Sequence, residues 1–124
     1  MSNQKNPKAI ELNPDDPFEA VLIDMVKMNR RKRKDYAGDG NPWQNFYDSA
    51  YQLGQTAGHS VETLIGTKQA RLRVLLPNFW NDGPEPNNES IEDSLIDRAV
   101  YSTISVSIWR ENGYVPMVES GDNL

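Results

Sequence analysis

A long acidic segment near the C-terminal end constrains this chain more than any other part of its sequence. Residues Asn88 to Arg110, NESIEDSLIDRAVYSTISVSIWR, read as one helix with Asn88 as its N-cap. At about 100° per residue, one broad apolar face is formed by Leu95, Ile96, Ala99, Val100, Thr103, Ile104, Val106 and Ile108. The opposite face carries Ser94, Arg98, Ser102 and Ser105. The segment therefore predicts a helix that packs within a bundle.

The acids of this helix are predicted to lie on its apolar side. Glu89, Glu92, Asp93 and Asp97 project within the apolar sector, whereas Arg98 points away. A buried carboxylate without a partner is costly, so it is normally paired with a cation, bound to a metal or shifted in pKa until neutral. The positive end of the helix dipole would also explain the first two acids and, in part, the third. It does not explain Asp97, so a functional cluster and a set of dipole-matched acids both stay open.

The bulk properties limit the class of protein. The chain has 124 residues, a formal net charge of −5 and no cysteine. One domain is predicted over residues 14–115, between flexible tails at 1–13 and 116–124. The charge argues against a dedicated duplex-binding protein, and without cysteine any metal would be held by oxygen ligands, which suit Mg²⁺ or Mn²⁺. The lack of a membrane-spanning apolar run or a secretory signal predicts a cytoplasmic protein with no membrane partner.

A first helix is predicted from a start signal at Asp16, Pro17 and Glu19, in which the acid three residues after the N-cap suits a capping box. Its apolar positions are Phe18, Val21, Leu22, Met25, Val26 and Met28. Its last turns are basic, at Lys27 and from Arg30 to Lys34. This basic end can match the helix dipole or bind phosphate and nucleic acid, and the dipole interpretation is favoured.

The next segment, KDYAGDGNPWQNFY at residues 34–47, is predicted to be a loop because glycines, a proline and an asparagine fall close together. It also carries Asp35, Tyr36, Trp43, Asn45 and Phe46. Aromatic and amide side chains in a loop can stack on a nucleotide base and read its edge. The alternative is a hydrophobic plug, made by Trp43 and Phe46, that covers the end of the bundle.

Two further helices complete the predicted fold. A short one runs from Trp43 to Leu53, and another begins near Ser60 and ends before a loop at Pro77 to Pro86. The apolar stripe of the latter consists of Val61, Leu64, Ile65, Leu72, Leu75 and Leu76. Lys68 falls inside that stripe, so we expect it to form a salt bridge with at least one acid among Glu89, Asp93 and Asp97. The fold is predicted to be an all-α bundle of about four helices, one of them short.

Three segments together resemble a known family. They are the basic segment Arg31 to Tyr36 with PWQNF behind it, the Lys68, Arg71 and Leu72 positions, and NESIEDSLIDRAVYS. The chain resembles phage and bacterial nucleotide-modification-associated proteins, which are related to the MazG-like all-α NTP pyrophosphohydrolases. Within the acidic helix, the positions that match the family are Glu89, Asp93, Asp97, Ala99 and Tyr101. Where such enzymes place a first pair of acids, this chain has only Glu62, with Ile65 at the second position.

The resemblance implies a MazG-like helical bundle that binds a nucleotide, forms a homo-oligomer (a dimer or larger) and works in the cytoplasm, the host cytoplasm if the chain is phage-encoded. Mg²⁺ would be held by Glu89, Asp93 and Asp97, which with Glu92 would also be the catalytic residues of a Mg²⁺-dependent nucleoside triphosphate pyrophosphohydrolase. The substrate-binding residues would be Lys68 and Arg71 for phosphate and Asp35, Tyr36, Trp43 and Asn45 for the base. Two alternatives stay open: a non-catalytic nucleotide-binding protein, such as a sponge for a signalling nucleotide, and a structural interaction module. Nucleic-acid binding through Lys27 and Arg30 to Lys34 is a further, less favoured, expectation.

Overall fold

The computed structural model of the chain describes residues 9–37, 43–86 and 89–115, with all their side chains except those of residues 36 and 37. Within these ranges there are four helices and no strand: α1 (Pro17–Ala37), α2 (Gln44–Leu53), α3 (Ala57–Trp80) and α4 (Ile91–Asn112). The predicted all-α fold of about four helices, one of them short, is confirmed. None of these helices is both long and apolar enough to cross a membrane.

Helices α3 and α4 form an antiparallel pair at the centre of the molecule, and α2 closes one end of it. The direction follows from two contacts: Glu62 lies beside Ser105, and Arg71 lies beside Ser94. The main core cluster consists of Phe46, Tyr47, Ala50, Ala57, Val61, Ile65, Ile104 and Ile108. Leu72 and Ile91 are buried as well. Helix α1 lies against this unit less closely, and none of its described side chains is fully buried.

The buried face of α4 differs from the prediction. Ser94 and Ser105, which were assigned to the outer face, are 0% and 4% exposed, whereas Val106 is 50% exposed. Small side chains let α4 approach α3 closely, and both hydroxyls are satisfied there: the Ser105 hydroxyl donates to Glu62 Oε2 at 2.7 Å, and Ser94 binds Arg71 and Glu89. A hydropathy pattern does not detect a buried hydroxyl that finds a partner.

Local capping explains where the helices begin. Asp16 accepts a hydrogen bond from the Glu19 amide at 3.0 Å, which confirms it as the N-cap of α1. The Glu19 carboxylate accepts a hydrogen bond from the Asn13 backbone amide at 2.8 Å. Among the described contacts of this turn, Glu19 therefore binds the preceding loop and does not form a capping box with Asp16. The N-cap of α4 is Ser90, which forms a full capping box with Asp93. The predicted cap, Asn88, lies outside the described residues, and the prediction is wrong by two positions.

Several predicted boundaries also differ from the structure. Helix α3 begins at Ala57, after the N-cap Thr56, and it continues through Pro77 to Trp80. A proline in a helix lacks the amide hydrogen for one backbone bond. Pro77 lies in the last turn of α3, and its own carbonyl accepts from both the amide and the side chain of Asn81. The predicted loop at 34–47 is shorter than expected: α1 extends to Ala37 and α2 begins at Gln44, while residues 38–42 lie outside the described ranges.

Candidate functional site

A partly buried ion-pair network joins α3 to α4. Lys68 Nζ donates to both carboxylate oxygens of Glu89, at 3.0 and 3.1 Å, and lies 3.1 Å from Asp97 Oδ2. The Lys68 side chain is 18% exposed and that of Asp97 is 17% exposed. The prediction that Lys68 lies inside the bundle and pairs with acids of the acidic helix is therefore confirmed.

Arg71 and Ser94 complete what we call the Lys68 network, made of Lys68, Arg71, Glu89, Ser94 and Asp97. Arg71 Nη2 donates to the Glu89 carbonyl at 2.8 Å, and Arg71 Nε donates to the Ser94 hydroxyl at 3.1 Å. The Ser94 hydroxyl in turn donates to the Glu89 carboxylate. That bond, followed by the one from Lys68, lowers the pKa of Glu89. Burial opposes the charged form of Lys68, but its bonds to Glu89 and Asp97 outweigh burial and raise its pKa.

The predicted metal ligands do not converge. Asp93 is exposed and caps α4: its amide donates to the Ser90 hydroxyl at 3.0 Å, and its carboxylate accepts from the Ser90 amide at 3.3 Å. Glu92 is exposed too, so the expectation that these two acids face inward is wrong. The inward acids, Glu89 and Asp97, already share an ammonium group. Across the described ranges, no group of three His, Asp or Glu side chains could hold a metal ion, and this donor set does not fit a Mg²⁺ site.

A cleft lies beside this network, between α1, the start of α2, and α4. It consists of two adjoining cavities of about 410 and 260 Å³. We call it the Trp43 cleft, and the residues that line both cavities are Asn29, Arg33, Trp43, Val100 and Ile104. The larger cavity is otherwise lined mainly by apolar side chains, namely Leu12, Leu22, Met25 and Val26, with Thr103 and Ser107. The smaller cavity adds Lys32, Asn45, Phe46, Leu64 and Tyr101.

The indole of Trp43 is held in a fixed orientation in this cleft. Its Nε1–H donates to the Ser107 hydroxyl at 3.1 Å. The guanidinium carbon of Arg33 lies 5.9 Å from the ring centroid, within the range of a cation–π interaction. Phe46 supports the indole from the side, with ring centroids 6.4 Å apart. The cleft therefore presents a positioned aromatic surface with a cation beside it.

Lys32 connects the cleft to the Lys68 network. It lines the smaller cavity, and its Nζ is 3.9 Å from Asp97 Oδ1, while the other oxygen of Asp97 faces Lys68. The Lys32 side chain is 50% exposed, so this long and hydrated contact holds it only weakly. Lys32 can therefore turn towards an anion in the cleft at little cost.

The other predicted substrate-binding residues lie in different places. Trp43 and Asn45 line the cleft, and Lys68 and Arg71 belong to the adjacent network. Asp35 is exposed on α1, and the Tyr36 side chain lies outside the described residues. The sequence interpretation missed Asn29, and it includes Lys32 and Arg33 only within the basic run Arg30 to Lys34, for which phosphate or nucleic-acid binding is the less favoured alternative. A signal for Asn29 is present, because Asn29 and Arg33 stand on the same helical face as Leu22 and Met25.

Comparisons with family models, with curated proteins and with solved structures find no match to this chain. Its function therefore has to be inferred from the Trp43 cleft and the Lys68 network.

Proposed function

We propose that this protein binds a nucleoside phosphate in the Trp43 cleft. One observation carries the proposal: a single cleft combines an indole, the two amides of Asn29 and Asn45, and the two cations of Lys32 and Arg33. Proteins recognise unpaired bases by stacking them on aromatic rings and by reading their edges with polar side chains. Phosphate groups are bound by charge-assisted hydrogen bonds from such cations.

The two cavities suit the two ends of a nucleotide. The larger one is mainly apolar, and its volume of about 410 Å³ falls in the usual range for small-molecule sites, about 300–1,000 Å³. The base would enter this cavity against Trp43. The guanidinium of Arg33, which lies over the indole, would then move towards the phosphate at the Lys32 side of the cleft. Arg33 lines both cavities, so this movement would need no rearrangement of helices.

Binding without turnover is favoured over Mg²⁺-dependent pyrophosphohydrolysis. The hydrolase alternative needs Glu89, Asp93 and Asp97 to share a metal ion, whereas Lys68 engages Glu89 and Asp97 and the Ser90 cap engages Asp93. Release of pyrophosphate from a nucleoside triphosphate in the presence of Mg²⁺ would support the hydrolase instead.

A structural interaction module is the second candidate. The charges of the Lys68 network are compensated within the bundle, and such networks can serve to specify packing alone. This candidate predicts that no nucleotide is retained by the protein.

Fluorescence of Trp43 tests the proposal. The chain has three tryptophans, and Trp80 and Trp109 are 70% and 58% exposed, so the variant Trp80→Phe/Trp109→Phe keeps Trp43 as the sole reporter. We expect its emission to change on titration with a nucleotide from a panel of purine and pyrimidine nucleotides. Emission that no member of the panel changes, together with no retention in equilibrium dialysis, would contradict the proposal.

Matched substitutions locate the site. Asn45→Ala removes an amide from the cleft, whereas Gln52→Ala removes one from an exposed position on the same helix. Trp43→Ala should weaken binding by about 5- to 150-fold, because base stacking contributes about 1–3 kcal/mol. The Asn45 variant should also bind more weakly, and the Gln52 variant should match the unsubstituted protein.

A further inference from the structure

Two acidic side chains meet a single lysine between α3 and α4. Glu89 and Asp97 stand about two turns apart on the acidic segment, and both approach Lys68 Nζ to within 3.1 Å. Two partly buried carboxylates that face one another repel each other unless a cation lies between them. In many proteins that cation is a hard divalent metal, whereas here it is an ammonium group supplied by the chain.

We propose that Lys68 takes the place of a divalent cation between Glu89 and Asp97, and that the Trp43 cleft therefore binds its nucleotide as a metal-free nucleoside monophosphate. The statement about Lys68 is supported by the geometry of the Lys68 network alone. The second half rests on the function proposed above and deepens it by naming the class of ligand.

The charges around the cleft favour a single phosphate group. Lys32 and Arg33 are the cations among the described lining residues. Two cations can balance the dianion of one phosphate monoester. A triphosphate brings more negative charge, for which proteins usually recruit Mg²⁺ held by carboxylates, and the nearby carboxylates Glu89 and Asp97 are already paired with Lys68 and Arg71.

Asp97 lies between the Lys68 network and the Lys32 side of the Trp43 cleft. Because Lys68 compensates its charge from one side, Asp97 competes only weakly for Lys32, which lies 3.9 Å away. Lys32 is thus available to a phosphate. In the absence of Lys68, Asp97 would hold Lys32 more strongly and would also repel the incoming anion.

The first experiment measures nucleotide binding by the full chain. AMP, GMP, CMP and UMP are compared with the corresponding triphosphates, each with EDTA and with excess Mg²⁺. We expect at least one monophosphate to bind equally well in both conditions and its triphosphate to bind about tenfold more weakly, the ratio for one lost charge-assisted contact. Binding that requires Mg²⁺ would overturn the inference and leave the proposed function standing. No binding of any nucleotide, in either condition, would overturn the proposed function.

The second experiment tests Lys68 without any nucleotide. The melting temperature of the unsubstituted protein should be the same with EDTA and with millimolar Mn²⁺. Lys68→Ala should melt at a lower temperature and should regain part of the loss with Mn²⁺, but not with NaCl of the same ionic strength. The double variant Lys68→Ala/Asp97→Asn should not respond to Mn²⁺, because one carboxylate of the pair is gone.

A direct measurement of Mn²⁺ binding completes the test should Lys68→Ala fail to fold. Free Mn²⁺ is followed by electron paramagnetic resonance as the unsubstituted protein is added, and we expect the signal to remain that of the free ion. Specific Mn²⁺ binding that is lost in Glu89→Gln would show that a metal enters this pair in the presence of Lys68, and it would overturn the proposal. A folded Lys68→Ala variant whose melting temperature does not change with Mn²⁺ would also overturn the proposal.

Discussion

Two buried serines show how single residues decide the packing of this molecule. Ser94 accepts a hydrogen bond from Arg71 and donates one to Glu89, and Ser105 donates one to Glu62. Their small size brings α3 and α4 together, and their hydroxyls bind charged side chains of α3 and of the residue just before α4. Residue-scale chemistry thus couples helix packing to the ion pairs beside the cleft.

The Glu89 carboxylate should make the fold less stable at acidic pH. Its hydrogen bonds to Ser94 and Lys68 lower its pKa below the ordinary 4.5. A carboxyl group whose pKa is depressed by folding stabilises the native state above its unfolded pKa, and this contribution is lost as the pH falls through the folded pKa. We therefore expect the free energy of unfolding to decrease below about pH 4.5.

Urea unfolding at a series of acidic pH values measures this effect. Glu89→Gln should lower stability by about 1–3 kcal/mol near neutral pH, between the values for exposed and buried ion pairs, and should reduce the loss in acid. The control is Glu92→Gln, a similar change at an exposed position. If Glu89→Gln and Glu92→Gln lose stability equally in acid, the pH dependence cannot be assigned to Glu89.

Two glycines of α3 form a matched pair for testing the packing of Tyr114 against α3. A Cβ atom on Gly58 would collide with the ring of Tyr114, whereas one on Gly66 would meet nothing within 4 Å. Gly58→Ala should destabilise the protein by about 1–3 kcal/mol through overpacking. Gly66→Ala should stabilise it by up to about 1 kcal/mol, because alanine is the better helix former. Denaturant unfolding measures both, and a shift of the same sign in the two variants would contradict this account.

At the scale of elements, the sequence predicts where helices lie in the chain better than which of their faces are buried. The start of α1 was predictable because Asp16 and Pro17 act locally. The pairing of Lys68 was predictable because charges on apolar stripes need partners. The outer face of α4 was predicted wrongly, because hydropathy cannot show that a serine such as Ser105 fits a close helix contact. The cleft was found only in part, since it forms where α1 and α4 approach in three dimensions.

Helix α1 should be the most easily opened element, because none of its described side chains is fully buried and elements with few buried contacts open at low free energy. We expect its amides to exchange with deuterium faster than those at the centres of α3 and α4. A nucleotide that binds in the Trp43 cleft contacts Arg33 and Asn29, so it should slow exchange in the second half of α1. Exchange in α1 that is as slow as in α3, or that no bound nucleotide changes, would contradict this expectation.

The whole molecule leaves apolar side chains exposed on several helices, including α1 and α4. Phe18 and Val21 of α1 are 73% and 45% exposed, and Val106 and Trp109 of α4 are 50% and 58% exposed. Larger apolar patches on a protein surface often mark sites of association. We therefore keep the expectation of a homo-oligomer as a prediction. Light scattering coupled to gel filtration should give a mass above the 14.1 kDa of one chain. Val106→Glu should lower that mass. A monomeric mass at all protein concentrations would contradict the prediction of a homo-oligomer.

The central claim is that a nucleotide binds at Trp43 without a metal, and the three indole N–H signals in a nitrogen-15 correlation spectrum test it most directly. The Trp43 indole donates to Ser107 inside the cleft, whereas the indoles of Trp80 and Trp109 are largely exposed. On addition of a nucleoside monophosphate in EDTA, the account predicts that the Trp43 signal shifts and saturates while the other two stay in place. A Trp43 signal that moves only when Mg²⁺ is added, or that no monophosphate moves, would contradict it.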